Sequence, residues 1–165
     1  MTGKKIDHPL KTRYWSTVPY QLGTGIDRVA IKFSARPCTA HTEVLPEEPD
    51  NDFLRHAMQK TLSEKSACME FLVQPRTRSA MSVEDSRTEW LEEEAPFYKV
   101  ATITIPQQTF DTPEQNSFCE NLSFTPWHAL PEHRPLGSVN RLRKVIYAHI
   151  SRTRREANSV SMQEP

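Results

Sequence analysis

The chain has 165 residues, with 21 Lys+Arg against 21 Asp+Glu, 13 Pro and only 4 Gly. That length suits one domain or a large part of one, and a 36% hydrophobic share is too high for a fully disordered chain. Balanced charge excludes a global attraction to nucleic acid or to an anionic membrane surface, and no window approaches 18 apolar residues, so no membrane span is expected.

The first fifteen residues have no apolar core behind their lysines. No signal peptide is therefore expected, and the default compartment is the cytoplasm. Cys38, Cys68 and Cys119 are far apart and form no CxxC pattern, which argues against a zinc site or a disulfide framework. They read as three reduced structural cysteines of an intracellular protein.

In chain order, residues 1–27 are punctuated by Pro9, Pro19, Gly23 and Gly25 and read as irregular, with Tyr14, Trp15 and Tyr20 anchoring them to a core. Val29, Ile31, Phe33 and Ala35 then alternate with Arg28, Ala30, Lys32 and Ser34, which predicts a strand ended by Pro37. A polar, Pro- and acid-rich connection leads to Asp50, a plausible helix cap. Phe53, Leu54, Ala57, Met58 and Leu62 follow helical spacing up to about Ser66. Residues 68–74 predict a second strand, with Met69, Phe71 and Val73 on one face. Residues 75–96 read as a long solvated loop that is acidic at its end, and 97–105 as a β-branched third strand stopped by Pro106. Residues 109–136 carry four prolines and read as an irregular crossing. A last helix, capped by Ser138, should run to about Ala157, leaving 158–165 as a flexible polar tail.

That last helix carries the distinctive chemistry. Between Arg134 and Arg155 lie Arg141, Arg143, Lys144, Arg152 and Arg154, with no acid among them. One reading is a basic surface for an acidic partner or nucleic acid. The placement favours another. Arg143, Tyr147, Ile150 and Arg154 fall at i, i+4, i+7 and i+11, in one stripe beside an apolar stripe of Val139, Leu142, Ile146 and Ile150. The arginines thus border the expected buried face, there is no aromatic interleaving, and net charge is zero, so nucleic acid is not the expected partner. A free tyrosine has a pKa of about 10, and a neighbouring arginine favours the phenolate, an anionic donor suited to ferric haem.

Residues 122–156, LSFTPWHALPEHRPLGSVNRLRKVIYAHISRTRRE, resemble the C-terminal signature of the small catalase-like haem proteins, short relatives of catalase that also resemble the haem domain of coral allene oxide synthase. YWSTVPYQLG leading to a strand that ends RPC (14–38), SVEDSRTEW (82–90) and ATITIPQQ (101–108) resemble further blocks of that family, in the same order. The resemblance implies an α+β fold: about half of the family's eight-stranded antiparallel β-barrel, with an amphipathic helix and a C-terminal haem-proximal helix, over residues 1–157.

It also implies haem b as cofactor and hydrogen peroxide or organic hydroperoxides as substrates. The family's R–x–x–x–Y motif falls on Arg143 and Tyr147. Tyr147 would be the iron ligand, Arg143 would hold it as phenolate, Arg154 would meet a propionate, and Phe124 lies in the stretch leading to that side. His128 and His133 read as structural residues. The family's distal His and Asn, which move the proton and position the peroxide, precede the block that begins near Tyr14. Only residues 1–13 precede it here, and His8 lacks the distal motif. His41 and His56 read as surface residues. The expectation is a catalase-related chain with no catalytic distal side: a truncated product, one completed by a second chain or another copy, or one that survives as a small α+β domain with altered packing. The alternative is a remnant or interaction module that keeps the fold without haem, its acidic run 89–94 pairing with the basic run 134–155 within the chain or between copies.

Overall fold

In the computed structural model, residues 6–40, 44 and 46–161 are described. His41 and the last four residues of the expected tail lie outside them. The fold is α+β, built on an antiparallel five-stranded sheet among the described residues. Strands β1 (Tyr14–Trp15) and β2 (Tyr20–Leu22) both pair with β3 (Val29–Pro37), which pairs with β4 (Ala67–Pro75), which pairs with β5 (Tyr98–Ile105). Among the described residues the sheet does not close into a barrel; β5 forms one edge and is exposed along nearly its whole length.

The alternation from Val29 produces β3 as expected, yet Ser34 on its other face is fully buried. Its hydroxyl donates to the Tyr14 carbonyl (2.7 Å) and accepts from Arg13 Nε (2.8 Å), which is how β1 is held. The expected irregular start therefore contains two short strands. Of its aromatics only Tyr20 packs inward, its ring 4.8 Å from Phe33, which lies 5.5 Å from Phe71. Tyr14 and Trp15 remain about half exposed. In β4 a register shift between Phe71 and Leu72 breaks the simple alternation, so Leu72, Val73 and Gln74 are buried in succession.

Helix α1 (Phe53–Glu64) buries Leu62. Asp50 does not cap it from the N-cap position, which is Asp52; its carboxylate accepts instead from the Asp52 amide. His56 is exposed beside Asp50, whereas His8 is buried, its Nε2 within hydrogen-bond reach of the Ala57 carbonyl (3.1 Å) and Thr61 Oγ1 (2.8 Å).

Residues 76–97 are not a solvated loop. Met81, Trp90 and Ala95 are buried together against Ala30. The buried Gln74 amide donates to the carbonyls of Trp90 (2.8 Å) and Ala95 (2.9 Å), and Arg76 reaches those of Met81 and Ser79. Fixing a long segment costs chain entropy, and burial of three apolar residues with paired backbone groups offsets it.

The cysteines also depart from expectation. Cys38 and Cys68 form a disulfide, because the ends of paired strands β3 and β4 bring their Cα atoms to 5.7 Å. Cys119 is the exposed free thiol. The crossing 109–136 contains a further helix, α2 (Pro113–Asn121), started by a capping box between Thr112 and Gln115 with Pro113 in its first turn. Helix α3 spans Gly137–Asn158, one residue past the expected end, and its N-cap is Leu136, not Ser138. Ser138 donates its hydroxyl to the Glu84 carbonyl instead (2.8 Å). Among the described residues no helix is long and apolar enough to cross a membrane.

Candidate functional site

The start of α3 is clamped to the sheet by the HRPLG–NR block. Leu136 donates its amide to the Pro19 carbonyl (3.0 Å), and Gln21 donates its own to the Arg134 carbonyl (2.9 Å). Asn140 is fully buried; its amide donates to the carbonyls of Pro19 and Leu136, both at 2.9 Å. Trp127 Nε1 donates to the Asn140 carbonyl (2.7 Å). Gly137 has φ +82°, and a Cβ there would lie 2.3 Å from the Val83 carbonyl oxygen, so only glycine lets the helix start against that loop. Arg141 completes the clamp with a two-pronged ion pair to Glu84 (2.7 and 3.1 Å).

This geometry sets the angular position of everything downstream. One turn past Asn140, Arg143 lies beside the phenol of Tyr20 on β2, and both Arg143 and Tyr147 are near enough to act on that phenol electrostatically. Burial raises the pKa of the Tyr20 phenol above the usual tyrosine value. The Arg143 charge and hydrogen bond oppose that rise, and Tyr147 adds to it.

Tyr147, Phe124, Ile150, Ser151 and Arg154 line a recess of about 210 Å³. Three of the four residues picked from the sequence therefore share one wall, with Arg143 a turn before Tyr147 on the same helix. Arg154 donates through Nη2 to the Leu122 carbonyl, while its Nε is buried with no partner among the described residues. Asn158 pins the same segment by bonding Asn121 Oδ1 (2.9 Å). Tyr147 is 39% exposed and Phe124 63%.

One expectation about this helix is reversed. The stripe of Leu142, Ile146 and Ile150 is exposed, and the buried positions of α3 are Gly137, Asn140, Ser151 and Arg155. The helix meets the rest of the described chain through polar groups and leaves its apolar stripe uncovered. Within the chain the acidic run does not pair with it either: Glu92 pairs with Arg13 (3.0 Å) and Glu94 with Arg78 (2.6 Å).

Tyr20 is the residue that sequence reasoning passed over. It was legible as an anchor, but nothing in its spacing connects it to Arg143 on the far side of the chain. No histidine lines the recess among the described residues. His128 lines a different cavity, and His133 sits in the single turn before the clamp.

The recess thus gathers a phenol, an aromatic and an aliphatic side chain, and a guanidinium with an unmatched buried N–H.

Solved structures of catalases share this fold. A fungal catalase superposes with a TM-score of 0.74 at 15% identity, over 91% of this chain and 32% of its own. Catalase A from Saccharomyces cerevisiae gives 0.72 at 15% identity, over 91% and 33%. A bacterial catalase gives 0.70 at 12% identity, over 91% and 31%. The chain thus has a catalase-like fold and spans about a third of the length of these catalases. No family model and no curated protein matches the sequence.

Proposed function

We propose that the chain is a haem-binding, catalase-related protein of the oxidoreductase class, directed at hydrogen peroxide or organic hydroperoxides. The observation that carries this reading is the gathering of Tyr147, Phe124 and Arg154 around one recess of a catalase-like fold, with Arg143 one turn before Tyr147. Tyr147 would donate its phenolate oxygen to the iron of haem b. Arg143, which lies beside the Tyr20 phenol, would hold Tyr147 as that phenolate by its charge. Arg154, whose Nε is unmatched, would pair with a propionate, and Phe124 would pack on the ring. Bound haem would supply the iron centre for oxidation–reduction of peroxides.

This recess offers one side only. General acid–base handling of a peroxide proton needs a base on the opposite face. His8 is committed to α1 and does not line the recess. The chain alone is therefore expected to dismutate hydrogen peroxide far below catalase rates.

Titration of the purified chain with hemin tests the assignment. A Soret band characteristic of tyrosinate ligation is expected, and Tyr147→Phe should shift it and weaken binding at least tenfold. An unchanged spectrum and affinity in that variant would remove Tyr147 as ligand. Absence of hemin binding by a folded chain would favour the non-catalytic module, a reading supported by the exposure of Phe124 and Ile150.

A further inference from the structure

A second cavity, of about 280 Å³, shares Ser151 with the recess of Tyr147 but is otherwise lined by different residues. We propose that it binds a small phosphate-bearing anion. Lys144, Arg152 and Arg155 bring three cations to its wall, Ser123 and Ser151 bring hydroxyls, and among the described residues no Asp or Glu lines it. The Lys144 ammonium lies 4.7 Å from the ring centre of Trp127, which forms another wall.

Basic side chains on a helix are ordinary; two of these groups are not. Arg155 is 7% exposed and Ser151 5%. Arg155 Nη1 and Ser151 Oγ are buried with no hydrogen-bond partner among the described residues. A guanidinium does not lose its proton in a protein, so burial cannot be relieved by neutralisation. A buried charge without a counter-charge is costly, and a bound anion removes that cost.

The chemistry selects the anion. Three cations suit a doubly charged group better than a single carboxylate, and guanidinium forks match phosphate oxygens in pairs. The volume sits at the lower end of small-molecule clefts, which run upward from about 300 Å³, and so suits orthophosphate or a small phosphate monoester rather than an extended polyanion.

The indole N–H signal of Trp127 reports on the cavity wall, because that proton is held on the Asn140 carbonyl at 2.7 Å. In the full chain, followed by two-dimensional NMR, it should shift saturably with inorganic phosphate. Acetate should bind at least tenfold more weakly, and chloride at matched ionic strength should not reproduce the shift. Arg155→Gln should weaken phosphate binding roughly tenfold or more, the usual weight of a charge-assisted hydrogen bond. Arg152→Gln and Lys144→Gln lie at exposed positions, keep the fold testable if Arg155→Gln does not fold, and should each weaken binding a few-fold. Glycerol 3-phosphate binding as tightly as inorganic phosphate, or tighter, would assign a phosphate ester; markedly weaker binding would assign the free ion. No saturable shift, a shift that follows ionic strength alone, or unchanged affinity in all three variants would overturn the proposal. Each outcome is independent of whether hemin binds at Tyr147.

Discussion

The two halves of α3 obey opposite rules. From Leu136 to Arg141 the helix is fixed by buried amides, a glycine that tolerates no side chain and a two-pronged ion pair. From Leu142 to Ile150 it exposes the apolar residues that a soluble helix normally hides, with Tyr147 among them. The first half fixes where the helix points. The second keeps a tyrosine and its arginine on an accessible surface. Polar anchoring suits this division, since hydrogen bonds are directional and set rotation about the helix axis, whereas apolar contact alone leaves it loose.

The largest expected effect breaks the first half. Gly137→Ala would drive a methyl into the Val83 carbonyl at a positive φ, and should cost about 2–4 kcal/mol of stability by denaturant midpoint. It should also weaken hemin binding, by turning Tyr147 out of place. Asn140→Ala should cost about 1–3 kcal/mol, because the carbonyls of Pro19 and Leu136 each lose one hydrogen-bond donor in a dry site, Pro19 keeping only the Leu136 amide.

A third prediction is a control away from the helix. Asp111 accepts from Arg55, Gln59 and Asn116, and those hydrogen bonds and the Arg55 charge lower its pKa from 3.8 to about 2. Because the folded value is the lower one, this group adds stability above pH 3.8 and loses it as pH falls through about 2. Asp111→Asn should therefore be less stable at neutral pH, with the gap to the parent closing over that interval in a series of denaturant midpoints. Hemin binding should be unaffected. The smallest effect concerns the second half. Leu142→Ser and Ile146→Ser should each change the stability of the hemin-free chain by no more than about 0.5 kcal/mol, since both are already exposed.

Much of the fold was legible in local pattern. Strand β3, helix α1 and helix α3 all follow from periodicity, to within a residue or two at their ends. Helix α2 was missed because Pro113 reads as a breaker. In the first turn, behind a Thr112–Gln115 box, proline starts a helix instead. The core under 76–97 was missed for a different reason: Met81, Trp90 and Ala95 share no period, and they meet only because Gln74 and Arg76 fold the segment back. Of the site, spacing showed that Arg143, Tyr147 and Arg154 share a stripe. Spacing could not show which side of α3 is covered, because that depends on Pro19 and Glu84, far away along the chain.

The Cys38–Cys68 bridge acts on the site at a distance, as a register lock. Sliding β3 by one residue against β4 would move every side chain of β3 to the opposite face. Phe33 would leave Phe71 and Tyr20, and Tyr20 is the phenol beside Arg143. A covalent tie at the end of that strand pair forbids the slip. An oxidation event more than 70 residues before Tyr147 thereby helps decide which way its neighbouring arginine faces.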